Sequence, residues 1–192
     1  MILPIVSFGN SILRCKCSPV KENQPIQDTL KNMYETMYNA QGVGLAAPQV
    51  GLDLSIFIID TTPFCDDENN LIPLKKEFIN PEIIDYSGKD ESFNEGCLSI
   101  PGLREDVIRK DQIKIRYFDK NFNEHTEKYE GINSRVIQHE YDHLMGVLFT
   151  DRVSTLKKKL LKSKLNKIKN GDIEVDYNIC LLYTSDAADE LT

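Results

Sequence analysis

In the stretch Gln138-His139-Glu140-Tyr141-Asp142-His143-Leu144, two histidines stand four residues apart with a glutamate directly after the first. On a helix, residues four apart lie one above the other on the same face. Both imidazoles can then reach one metal ion, with Glu140 beside it as a carboxylate able to take a proton from water held by that ion. The neighbouring residues favour the helix: from Asn133 to Met145, Val136, Ile137 and Leu144 recur with a 3.6-residue period, and Gly146 stands where the helix would end. Two of the chain's three histidines fall at this spacing around a glutamate, which weighs against a surface helix carrying incidental histidines.

Upstream, Gln112-Ile113-Lys114-Ile115-Arg116-Tyr117 alternates apolar and polar residues. Asp119 to Asn123 then supplies turn chemistry and His125 to Tyr129 returns, which predicts a hairpin with one buried face. Leu54-Ser55-Ile56-Phe57-Ile58-Ile59 is rich in β-branched and aromatic residues and predicts a buried strand, followed by a loop from Cys65 to Asn70. Ile26, Leu30, Met33 and Met37 recur at helical spacing, with Pro25 placed to open that helix and Gly42 to close it. Leu156, Leu160, Leu161, Leu165 and Ile168 predict a last helix stopped by Asn170-Gly171, with lysines on its other face. Helices and strands together give an α+β class.

The 192 residues suit one domain, and 41% hydrophobic with 28% charged residues is the composition of a globular chain. Met1-Ile2-Leu3-Pro4-Ile5-Val6 lacks a leading basic region and is interrupted by proline, so it is not read as a signal peptide. No run approaches the roughly 18 apolar residues of a membrane span. No membrane association and a cytoplasmic location are therefore expected. Five cysteines without an export signal favour free thiols or metal ligation over disulfides. A net charge of −7 excludes a globally basic nucleic-acid binder. One local exception is the eight basic residues from Arg152 to Lys169, read first as a solvated helix face. The terminal stretch from Cys180 to Glu190 reads as translated sequencing adaptor, which makes residues 1–179 the single catalytic domain and 180–192 a non-native tail. Without Asp186, Asp189 and Glu190 the charge of −7 becomes −4.

A catalytic ion of this kind needs a third protein ligand and an open position. No histidine follows His143, which removes the long metalloprotease pattern. Glu174 lies beyond the lysine-rich helix in an expected strand, and His125 sits in the hairpin, where an exposed or paired histidine is the simpler account. Cys97 is the best placed candidate, because Gly96 beside it permits close approach of the chain to a ligand. Taken alone, a cysteine is more often an inert buried thiol.

Three blocks stand together: Gly42-Val43-Gly44-Leu45-Ala46-Ala47-Pro48-Gln49, Glu95-Gly96-Cys97-Leu98-Ser99, and Gln138 to Leu144. In this order and spacing they resemble the three signature motifs of the peptide deformylases. The likeness runs from about Leu3 to Asp151 and more loosely through the last helix. It implies short-stranded mixed or antiparallel sheets around a central metal-binding helix, and an enzyme that removes the formyl group from the N-terminal formylmethionine of nascent polypeptides, releasing formate. It implies Cys97, His139 and His143 as metal ligands, Glu140 as general base and acid, and Gln49 with the Leu98 backbone N–H as oxyanion donors. Val43 and Gly44 would lie along the substrate main chain, with Gly44 letting the peptide approach as an added strand. Glu95, Gly96 and the histidine helix would surround the methionine side chain, and Arg104 would lie near the bound peptide. Arg135, just before the two histidines, replaces the apolar residue of many relatives and bears on the rim of that pocket.

One thiolate and two imidazoles suit Zn2+ by ligand chemistry alone. The resemblance points instead to Fe2+ as the one native divalent ion, with Zn2+ or another ion as the alternative. Expected partners are N-formylmethionyl nascent peptides and, through the lysine-rich helix, the ribosome, for a monomer in the cytosol of a bacterium or an organelle. Two rival readings remain. A metalloprotease lacks its third histidine or well-placed glutamate here. A catalytically silent relative binding ribosomal RNA or a partner protein is opposed by intact Gln49, Cys97 and Glu140.

Overall fold

The apolar run after Leu54 becomes strand β3 (Ile56–Asp60), and it is hydrophobic throughout because both of its faces are covered. Successive strand side chains point to opposite faces: Phe57 and Ile59 enter one buried cluster, Ile56 and Ile58 another. In the computed structural model, which describes residues 1–65 and 72–181, Gly44–Ala46 (β2), Lys75–Cys97 (β4), Ile100–Phe118 (β5) and Glu124–Glu130 (β6) join β3. They form a five-stranded antiparallel sheet in the order β2-β3-β4-β5-β6. The expected hairpin is β5–β6, with Gln112 opposite Glu130 and Tyr117 opposite His125. Ile5–Val6 (β1) and Ile179–Cys180 (β7) pair in parallel at the edge of the molecule's third cluster.

Helix α1 (Gln27–Asn39) sets Met33 and Met37 against Leu45, Ile56 and Ile58 on one side of the sheet. Helix α2 (Gly131–Leu144) sets Val136, Ile137 and Leu144 against Phe57, Phe78, Ile113, Ile115 and Tyr117 on the other. The histidine-bearing helix is thus central. Helix α3 (Thr155–Lys169) is capped by the Ser154 hydroxyl, which accepts from Lys157 N–H, and it buries Leu161 and Ile168.

Several expectations change. Short strands describe β1, β2, β3, β6 and β7, but β4 has 23 residues and β5 has 19, broken by register shifts at Ile79/Glu82, Ile83/Asp85, Ser87/Asp90 and Gly96/Cys97. Gly42 does not close α1: the helix ends at Asn39, Gln41 takes the left-handed position with φ 54°, and Gly42 N–H returns to the Met37 carbonyl. Nor does Pro25 open it directly, since Ile26 is the N-cap. Helix α2 starts at Gly131, two residues before expectation. Leu156 and Leu160 are not core, at 68% and 71% exposed, because only one narrow stripe of α3 meets the body. Glu174 lies in an irregular segment and not in a strand. Beyond Cys65, the expected loop lies outside the described residues, as does the tail after Leu181. The backbone of Cys180, assigned above to the tail, continues β7 and accepts from Ser7 N–H at 3.0 Å.

Candidate metal centre and active site

Strands β4 and β5 are joined by the two-residue turn Leu98-Ser99, so Cys97 stands at the end of the longest hairpin, opposite Ile100. Its Sγ lies 3.2 Å from His143 Nε2, and the ligating atoms of Cys97, His139 and His143 all fall within 4.8 Å of one another. Two donors on one tetrahedral ion, with bonds of about 2.0–2.3 Å, lie roughly 3.5 Å apart, so this trio fits a single divalent ion. His139 Nδ1 is 2.9 Å from Glu95 Oε2, which orients the ring and leaves Nε2 for an ion. Burial drives His143 well below its ordinary pKa. Burial opposes charge on His139 too, but Cys97 and Glu95 outweigh it and hold that imidazole well above its ordinary value. The two acidic partners therefore favour positive charge at this point, which a divalent cation satisfies as a proton does.

The other candidate ligands fall away. His125 Nε2 is paired with Asp119 Oδ2 at 3.0 Å on the outer hairpin. Glu174 borders the cleft without joining the cluster of ligating atoms.

Glu140 follows His139 on α2 and is 4% exposed; its Oε2 has no hydrogen-bond partner, and burial raises its carboxyl to about 7. The carboxylate lies directly over Gly44, where a Cβ would sit 2.4 Å from Oε1. Gln49 occupies a 3₁₀ turn, Ala47–Val50, that follows β2. Its Oε1 accepts from Ala46 N–H at 2.8 Å, which directs Nε2 to Cys97 Sγ at 3.5 Å and Ser99 Oγ at 3.3 Å. A cleft of about 740 Å³ is lined by Val43, Gly44, Gln49, Glu95, Gly96, Cys97, Leu98, Arg104, His139 and Glu140. Of the site residues that the resemblance implied, only His143 stands behind that lining, as the buried partner of Cys97. Arg104 reaches from β5 across Gly96, where a Cβ would meet its Nη1 at 2.8 Å, and donates through Nε to Asn94 Oδ1 at 2.9 Å.

Glu95 borders the cleft, but both carboxylate oxygens are engaged. Oε1 accepts from Arg109 Nε at 2.7 Å and Arg135 Nη1 at 3.0 Å, while Oε2 accepts from Arg109 Nη2 at 2.9 Å and meets His139. Burial opposes the charge on Glu95, yet these partners hold its carboxyl well below the usual range. Arg135 is accordingly a buried brace that also borders the cleft, and it donates to the Val107 carbonyl at 3.0 Å. Sequence reasoning missed Arg109, which bridges Glu95 to Asp142 at 2.7 Å, and Arg152, whose Nε reaches Asp142 at 2.6 Å. The signal for Arg109 was alternation along β5: Leu103, Val107 and Arg109 share the inward parity. Tyr177, whose hydroxyl donates to the Leu98 carbonyl at 2.7 Å, was missed as well.

Known proteins carry the same pattern. The family described as Polypeptide deformylase matches residues 2–159. A peptide deformylase of Christiangramia forsetii is 51% identical over 187 residues, covering 93% of this chain and 95% of its own. One from Flavobacterium psychrophilum is 50% identical over 190 residues, covering 95% and 98%. Among solved structures, the peptide deformylase of Ehrlichia chaffeensis superposes with a TM-score of 0.80 at 34% identity, covering 90% of this chain and 99% of that one. The match spans β1 to α3 and includes the Cys97, His139 and His143 cluster, so the chain belongs to the polypeptide deformylase family.

Proposed function

We propose a division of labour among the cleft residues for the reaction of this chain, hydrolytic removal of the formyl group from the N-terminal formylmethionine of nascent polypeptides. The observation that carries it is the convergence of three donor atoms within 4.8 Å beside a buried carboxylate. The family is metal-dependent, and Cys97, His139 and His143 are the residues to hold the ion. A divalent ion there supplies Lewis acidity and lowers the pKa of water. The remaining work belongs to the chain. Glu140 takes the proton from water as its oxygen attacks the formyl carbon, and returns it to the nitrogen as the C–N bond breaks and formate leaves. A carboxyl raised to about 7 by burial suits both directions of transfer near neutral pH.

As the formyl carbon becomes tetrahedral, its oxygen gathers negative charge, and in this reading Gln49 Nε2 and the Leu98 N–H are the donors that receive it. Each such donor contributes about 2.7–4 kcal/mol. The Gln49 side-chain carbonyl is already held by the Ala46 N–H, which fixes the amide end that faces the cleft. Strand β2 is the outer strand of the described sheet, so Val43 and Gly44 offer a free edge to the peptide main chain. Phe93, Ile132 and Val136 supply apolar lining for the methionine side chain, and Arg104 stands at the mouth toward the following residues.

The native ion in this reading is Fe2+. The protein acts as a cytoplasmic monomer with residues 1–179 as its catalytic domain; among the described residues no helix is long and apolar enough to cross a membrane. Helix α3 supplies ribosome affinity through exposed lysines such as Lys158 and Lys162, whereas Lys157 is paired with Glu105 and Arg152 with Asp142. The test is formate release from a formylmethionyl tripeptide. Glu140→Ala should lower kcat by at least about 10²–10⁴ with metal content unchanged, and near-normal turnover in that variant would sink the assignment.

A further inference from the structure

The turn that carries Cys97 and Leu98 is not one that a hairpin favours. Two-residue hairpin loops prefer left-handed backbone at one or both positions, usually with glycine or asparagine. Leu98-Ser99 has neither residue. Nor does it have the conformation, since the non-glycine residues with positive φ are Gln41, Asn80 and Phe122. The ladder also shifts register between Gly96 and Cys97. A turn with so little preference for its own shape must be held from outside.

Three groups hold it. Phe8 N–H donates to the Ser99 carbonyl at 2.8 Å, Gln49 Nε2 donates to the Ser99 hydroxyl at 3.3 Å, and the Tyr177 hydroxyl donates to the Leu98 carbonyl at 2.7 Å. The third comes from a segment 79 residues away. Directly after Tyr177, the Asn178 carbonyl accepts from Ile5 N–H at 2.8 Å, and the Cys180 carbonyl accepts from Ser7 N–H at 3.0 Å. The tyrosine is therefore anchored on β1, the same stretch of chain that leads to Phe8. Residues 174–177 form part of the cleft wall, with Val175 and Tyr177 half-buried and Glu174 and Asp176 exposed.

We propose that Tyr177 is a positioning residue of the active site, whose hydroxyl latches the Leu98 carbonyl and so keeps the Leu98 N–H and the Cys97 sulfur in working geometry. This rests on the roles given above to Leu98 and Cys97. Peptide units are rigid planes with soft dihedrals only between them. Fixing the plane after Leu98, while Cys97 stays paired with Ile100, leaves the intervening N–H little freedom. Loss of the latch lets the turn sample other shapes, which weakens a donor that acts mainly in the transition state and so lowers kcat more than it raises KM.

The variant is Tyr177→Phe in the full chain, which removes one oxygen and keeps the ring in the cleft wall. Three measurements are made: kcat and KM on a formylmethionyl tripeptide, amide hydrogen exchange with and without metal, and Tm. The expected result is a kcat lower by about three- to tenfold, the scale of one neutral hydrogen bond, with KM within about twofold. Exchange should quicken at Leu98 to Ile100 and stay unchanged in α2. Unchanged kcat with unchanged exchange in the turn overturns the latch. A lowered Tm with faster exchange across the whole sheet also overturns it, because Tyr177 would then be a general stabiliser. Should the wild-type chain release no formate, the proposed function falls, while the exchange comparison without metal still decides the latch.

Discussion

Replacing Gly44 by alanine should disable the enzyme without emptying its metal site. Gly44 lies in β2 and is not among the residues with left-handed backbone, so conformational freedom is not its purpose. Space is. An added Cβ would lie 2.4 Å from Glu140 Oε1 and 2.8 Å from both Cγ and Cδ, and to reach the 3.4 Å of an ordinary contact the carboxylate must retreat by about 1 Å. Glu140 is 4% exposed and cannot swing into solvent, so the retreat moves it within the site. Misplacing a reacting group by about 1 Å costs on the order of 10² in rate, so kcat for formate release should fall by about that factor. Metal content should hold, and overpacking should remove about 1–3 kcal/mol of stability. A double-mutant cycle separates the cause. In Glu140→Ala the obstructing atoms are gone, and Gly44→Ala should add no further loss to the residual rate. A Gly44→Ala enzyme within about threefold of wild-type kcat, or an equal loss in both backgrounds, would refute the steric argument.

Arg109→Met leaves the buried carboxylates of Glu95 and Asp142 without their shared partner and should reduce stability by about 3–5 kcal/mol in urea unfolding; a loss under about 1 kcal/mol would contradict the bridging role. Burial pushes the Glu127 carboxyl up, but the Lys76 ammonium at 2.8 Å and the Tyr129 and Tyr117 hydroxyls outweigh it and bring it to about 2 from an ordinary 4.5. Its stabilisation is thus complete above about 4.5 and lost as pH falls through about 2, so the stability gap between wild type and Glu127→Gln should shrink across that window, and a gap independent of pH would rule this out. Apoprotein loaded with Fe2+ without air should turn over faster than the Zn2+ form and lose activity in air, partly through oxidation at Cys97; equal, air-stable rates would show the iron assignment wrong. Lys158→Glu with Lys162→Glu should weaken ribosome co-sedimentation at low salt and spare tripeptide hydrolysis, whereas unchanged co-sedimentation would leave these lysines as a solvated face.

What was legible in the sequence was what short-range periodicity encodes. Helix α2 shows its apolar stripe and its stop, with Gly146 at φ 71°, and β3 shows a run too apolar for a half-exposed strand. Strand β4 showed nothing comparable. From Glu82 to Asn94 its residues are exposed or half-buried on both faces, so no alternation marks them, and they are strand only because β5 pairs with them. Gly42 misled for a related reason. Glycine after a helical stripe signals a left-handed stop, but Gln41 took that conformation, and the glycine answers to Leu98 Cδ1, which a Cβ would approach to 2.7 Å. That contact joins positions 56 residues apart in the chain, and a local pattern carries no trace of it.

The charged brace behind the histidines is the part of the site that sequence conceals most completely, and its layout explains why it is there. Glu95 holds His139 Nδ1, Arg109 holds Glu95, and Asp142 holds Arg109; Asp142 stands three residues after His139 on the same helix. The circuit therefore leaves α2 at one histidine and returns to it one turn later through the inward faces of β4 and β5. Glu95, Arg109, Arg135 and Asp142 are each 4% exposed, so removing them from water opposes folding, and apolar residues of the same volume would serve stability as well or better. An apolar packing could not choose which imidazole nitrogen carries the proton. A carboxylate at 2.9 Å from Nδ1 makes that choice, and two arginines keep the carboxylate ionised at depth, so that the single proton of a neutral His139 sits on Nδ1 and its Nε2 is the nitrogen left free to bind an ion.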